Sequence, residues 1–71
     1  MEVLVFSTSV GSKGEVNKLT PKLNSIAGAG KWNFALDDSD RILRIVSEEV
    51  KPIVAIQLLM REGFECRELE N

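Results

Sequence analysis

The sequence predicts an α+β fold, a ferredoxin-like βαββαβ sandwich in which two helices cover one face of a four-stranded antiparallel sheet. Three observations lead there. Short apolar runs near residues 2–7, 32–36, 41–46 and 64–69 have strand composition; two longer segments repeat their apolar residues at helical spacing; and these elements follow one another as strand, helix, strand, strand, helix, strand. No repeat, linker or low-complexity tract breaks the order, so residues 1–71 read as one domain.

The first strand, Glu2 to Ser7, is rich in β-branched and aromatic residues. A loop of small residues, Thr8-Ser9-Val10-Gly11-Ser12-Lys13-Gly14, leads into the first helix, Lys13 to Ile26, where Val16, Leu19, Leu23 and Ile26 form an apolar stripe. Ser12 and Glu15 have the spacing of a capping box: the Ser12 hydroxyl accepts from the Glu15 N–H, and the Glu15 carboxylate reaches back to Ser12. Pro21 removes one helical hydrogen bond and crowds the preceding turn. It either kinks the helix near Asn17 or, with Thr20 as cap, begins a new one.

Gly28-Ala29-Gly30 turns the chain, and Trp32, Phe34 and Leu36 then alternate with smaller or polar residues, the period of a half-buried strand. Asp37-Asp38-Ser39-Asp40 is a turn, and Arg41 to Val46 is dense enough in apolar residues for a central strand. Pro52 opens the second helix, with Ile53, Ile56, Leu59 and Met60 as its stripe, and Gly63 ends it. Phe64 to Leu69 is the last strand. The expected core is Val5, Val16, Leu19, Leu23, Ile26, Phe34, Leu43, Ile45, Ile53, Ile56 and Leu59.

Composition narrows the function classes. The chain has 44% hydrophobic and 28% charged residues, a formal charge of −2 and a pI near 5.0, which gives no general attraction to nucleic acid or anionic membrane. Residues 1–35 carry four basic residues against two acidic, and residues 36–71 five against nine, so the first half is mildly basic. There is no histidine, which removes the commonest general base and metal ligand, and the one cysteine, Cys66, excludes an internal disulfide. With no leader-like segment and no long apolar run, the expected location is the reducing cytoplasm.

The loop and helix carry a resemblance. Thr8-Ser9-Val10-Gly11-Ser12 and the following Gly14-Glu15-Val16-Asn17-Lys18-Leu19 resemble the metal loop and first helix of the heavy-metal-associated domain of copper chaperones and metal-exporting ATPases. Lys31 to Asp38, Arg41-Ile42-Leu43 and Glu62-Gly63-Phe64-Glu65 resemble later parts of the same domain, so the likeness covers nearly the whole chain. It implies the ferredoxin-like fold and a family role in metal-ion binding and transport. It places Ser9 and Ser12 where the family's Met-x-Cys-x-x-Cys motif has its cysteines. Thiolates are soft donors suited to Cu(I), whereas serine hydroxyls are hard and stay protonated. Ser9, Val10, Gly11 and Ser12 are therefore expected to be a vestigial metal loop, with no metal ligand, cofactor or catalytic residue in the chain. Lys13, Lys18 and Lys22, with Lys31 nearby, are expected to form a docking face for a protein partner, either a similar domain or an acidic one, as basic faces do in the chaperones.

Other readings compete. Cys66 is expected to be a small sheet or core residue, or else an edge thiol that links two chains. The three aspartates lack the spacing of an EF-hand and read as a solvated turn. A ferredoxin-fold enzyme such as an acylphosphatase-like hydrolase would need an arginine aimed at the loop, which offers only Lys13. Backbone N–H groups at the start of the first helix are the remaining candidate anion site. RNA binding would need outward aromatic pairs on the sheet. Association is expected to be monomeric or weakly homodimeric, through a sheet edge such as the second strand or through the loop.

Overall fold

A computed structural model describes residues 2–69. The elements are β1 (Val3–Thr8), α1 (Lys13–Ala27), β2 (Trp32–Ala35), β3 (Ile42–Val46), α2 (Pro52–Arg61) and β4 (Cys66–Glu68). The strands form one antiparallel sheet in the order β2-β3-β1-β4. This is the ferredoxin-like α+β sandwich, with β3 and β1 central and β2 and β4 at the edges.

Face assignment follows from the register. Leu4 lies opposite Ile45 and Phe6 opposite Leu43, and these four side chains meet Leu19, Leu23, Ala55 and Leu59 of the helices in one core. Phe6, Leu19, Leu23, Leu43, Ile45, Leu59 and Val10 are fully buried. Val16, Ile26, Phe34 and Ile56 pack against this core while partly exposed. Val5 does not belong to it. It alternates with Leu4 and Phe6, so it lies opposite Arg44 on the uncovered face of the sheet, and the unbroken run Val3-Leu4-Val5-Phe6 concealed that parity.

α2 is rotated from the expected stripe. Ala55 and Leu59 face the core, whereas Ile53 and Met60 point outward with 53% and 62% of their surface exposed. A helix reading Ile-Val-Ala-Ile-Gln-Leu-Leu-Met is apolar nearly all round, and packing rather than periodicity decides which side is buried. Its end is a Schellman turn: Gly63, at φ 92°, donates to the Met60 carbonyl and Phe64 donates to that of Leu59.

α1 runs unbroken through Pro21, so no helix restarts at Thr20. The Thr20 hydroxyl donates to the Val16 carbonyl at 2.9 Å, a bond made from inside a helix and not from its cap. The strands are shorter than expected. Leu36 falls beyond β2, Arg41 precedes β3 at φ 49°, and Phe64 and Glu65 precede β4.

Candidate functional site

The loop between β1 and α1 is held from below by Thr8, whose side chain turns toward the core with only 9% exposed. Its hydroxyl donates to the Arg41 carbonyl at 2.6 Å and accepts from the Val10 N–H at 3.2 Å, joining the end of β1 to the start of β3 and to the loop. The Thr8 N–H donates to the Asp40 carbonyl, so the Asp37–Asp40 turn is tied to the same point. Val10 then drops into the core, fully buried, although its small polar neighbours place it in a surface loop on sequence grounds.

Ser9 extends the β1–β4 ladder. Its N–H donates to the Glu65 carbonyl at 3.1 Å and its hydroxyl accepts from the Glu65 N–H at 2.8 Å. Ser12 is the N-cap of α1, accepting from the Glu15 N–H at 3.2 Å. The reciprocal bond differs from the sequence expectation: the Glu15 carboxylate accepts from the N–H of Gly11, at 2.8 Å, one residue before the cap. Both serines are exposed, yet each hydroxyl already has a backbone partner.

Lys13, Lys18 and Lys22 do not share one face of α1. At about 100° per residue, Lys13 and Lys22 stand on opposite sides of the helix. Lys22 leans over α2 and pairs with Glu62, in a groove also lined by Ser25, Val54 and Arg61. Lys13 borders the groove between α1 and β2, beside Trp32, Phe34 and Asp37. Lys18, four residues before Lys22, is exposed on the same side of the helix as Lys22, and Lys31 lies beyond the helix. Lys18 and Lys22 thus keep a common side of the helix while Lys13 and Lys31 lie apart from it, and the Lys22 ammonium is already paired with Glu62.

Cys66 is half-buried in β4 opposite Thr8, and desolvation pushes its thiol up to about 11. Such a thiol is almost wholly protonated near neutral pH and is a poor nucleophile and metal ligand. Among the described residues, no cluster of three or more His, Cys, Asp or Glu side chains is placed to hold a metal ion. Arg41, whose carbonyl receives the Thr8 hydroxyl, sends its guanidinium to the Leu36 carbonyl at 2.8 Å. On the open face of the sheet, β1 and β3 present Val3, Val5 and Arg44, while Trp32 and Phe34 turn to the helices. Trp32 bonds Asn24 of α1 through its indole N–H at 2.8 Å, and the two rings meet edge to face with centroids 6.0 Å apart. No helix among the described residues is long and apolar enough to cross a membrane.

Sequence reasoning found the helix cap but not the tie between Ser9 and Glu65, because 56 residues separate them and neither has a pattern that points to the other. The inward turn of Thr8 and Val10, both placed in the loop by sequence, was missed for a related reason. A lone threonine and a lone valine among small residues have no period from which burial is read. Comparison of the chain with protein-family models, curated proteins and solved structures gives no match.

Proposed function

We propose that this chain is a non-enzymatic binding module of the heavy-metal-associated type, without soft-metal ligation of its own, which acts by docking to a protein partner in a reducing cytoplasm. The observation that carries the reading is the state of the loop. The hydroxyls at the two positions where the resembling family has thiolates are committed to the backbone, Ser9 to Glu65 and Ser12 to Glu15, and neither is a donor for Cu(I). The fold and the position of this loop between first strand and first helix support the resemblance. The outward apolar side chains of α2, Ile53, Val54 and Met60, support a role in contact with another macromolecule. Against hydrolysis stand the lack of histidine and the direction of Arg41, which leaves the loop without a guanidinium.

The test is a Cu(I) competition titration against a chelator of moderate affinity. The natural chain should lose the competition, and Ser9→Cys with Ser12→Cys should bind one Cu(I) per chain, since two sulfurs complete a linear site with the second at a helix start. Each change weakens a backbone hydrogen bond, so the apo double variant should be less stable by about 1–3 kcal/mol and Cu(I) should restore the loss. A double variant that folds but binds no better than Cys66 alone would separate this loop from the metal-binding geometry and overturn the reading.

A further inference from the structure

The two edges of the sheet are built differently. β4 is three residues long and carries Arg67 and Glu68, with Glu65 just before it, the charged guard that keeps an edge from pairing. β2, Trp32-Asn33-Phe34-Ala35, carries no charge and contains no proline. Its hydrogen bonding can be read from the register. The Val46 N–H donates to the Lys31 carbonyl at 2.7 Å while Trp32 lies opposite Ile45, so Trp32 and Ile45 are a non-hydrogen-bonded pair. The main-chain N–H and C=O of Trp32 therefore point away from β3, and by alternation so do those of Phe34. Along this edge lies a groove of about 580 Å³ between α1 and β2, bordered by Val16, Trp32, Phe34 and Leu36.

We propose that this edge is a self-association surface: two copies of the chain pair their β2 strands antiparallel about a twofold axis beside Asn33, joining two sheets into one. The pairing holds whatever the β1–α1 loop binds. The outward groups select the register. With Asn33 on the axis, Trp32 of each copy falls opposite Phe34 of the other, and both pairs have their N–H and C=O turned to the interface, giving about four hydrogen bonds. The same register brings the aromatic side chains of the two copies together over the grooves. It also sets Lys31, at one end of β2, toward the end of the other copy's strand where Asp37 and Asp38 follow. Four residues per strand make a small interface, so the dimer is weak and forms only at high protein concentration.

Light scattering and sedimentation of the intact chain, from micromolar to millimolar protein with Cys66 reduced, test the proposal. The mass should climb toward two chains, and the emission of Trp32, the one tryptophan, should shift over the same range. Asn33 is exposed and lies across the axis from itself, so Asn33→Lys opposes two ammonium groups and should weaken association by about tenfold or more while leaving the circular dichroism unchanged. In a Cys66→Ala background, Asn33→Cys places two thiols across a non-hydrogen-bonded pair, where Cα atoms lie about 4.5 Å apart, within disulfide reach. Mild oxidation should cross-link it about tenfold faster than Lys18→Cys in the same background, since Lys18 is exposed on α1 away from the edge. A mass that stays at one chain throughout the range would overturn the proposal. So would a dimer that is indifferent to Asn33→Lys and whose Asn33→Cys variant cross-links no faster than the Lys18→Cys control.

Discussion

Replacing Thr8 by valine tests whether the loop is held by its hydroxyl or by packing. Valine has nearly the same shape and suits a strand, so the methyl contacts and the backbone preference are kept. What is lost is one oxygen with two roles, donor to the Arg41 carbonyl at 2.6 Å and acceptor from the buried Val10 N–H at 3.2 Å. The Val10 N–H is buried, and leaving such a group unpaired costs about 1–3 kcal/mol. The Arg41 carbonyl is nearer the surface and adds about 0.5–1 kcal/mol. The expected loss is therefore about 1.5–4 kcal/mol, a large part of the ~5–15 kcal/mol that holds a small domain together. Thr8→Ser keeps both bonds and removes one methyl, at about 1 kcal/mol. Urea unfolding followed through Trp32 fluorescence measures both, and an unchanged slope would assign the difference to the folded state. A valine variant as stable as the natural chain would refute the role given to the hydroxyl, as would a serine variant that loses more than the valine one.

Leu23→Ala, at a fully buried position, should cost about 2–5 kcal/mol, while Ile53→Ala on the outer side of α2 should stay below about 1 kcal/mol; equal costs in thermal or urea unfolding would mean that the rotation of α2 is wrong. The raised pKa of Cys66 gives a stability contribution that is complete below the thiol's ordinary value near 9.0 and lost as pH rises through about 11, because the unfolded chain releases its proton first. Stability should thus fall over that window, the slope should lessen in Cys66→Ala, and alkylation of the folded chain should lag that of the unfolded chain at about pH 8. Gly63→Ala should cost about 1–2 kcal/mol through backbone strain alone, since no atom lies within 4 Å of an added Cβ at φ 92°; an unaltered unfolding midpoint would show that the Schellman turn relaxes freely.

The order of elements, the central place of the third strand and the cap at Ser12 were legible in the sequence, because each is written in residues close together in the chain. A stripe of four apolar residues in α1 and the Ser12–Glu15 spacing leave few alternatives. Faces were harder wherever hydrophobicity was continuous. Val3-Leu4-Val5-Phe6 offers both sides of a strand equally, and α2 offers apolar side chains in nearly every direction. In both cases the partner elements choose. The place of the candidate loop between β1 and α1 was legible, but its inner workings were not, since Thr8 answers to Arg41 and Ser9 to Glu65 across most of the chain. Glu15 fell within the reach of local reasoning and still chose Gly11 over Ser12, one residue from the expected donor.

Of the four strands, β1 is made first, and both of its partners arrive later: Leu4 and Phe6 wait for Ile45 and Leu43, and Phe6 also waits for Glu68. During synthesis, then, α1 and the β2–β3 hairpin can form from neighbouring residues while β1 still has to find β3 across some forty residues of chain. Even after that pairing, the other side of β1 stays open until residues 66–68 are free to move. A nascent chain stalled before that point would present the second edge of an apolar central strand to any other open edge. The time taken to release β4 therefore sets how long the unfinished sheet is exposed to misassembly.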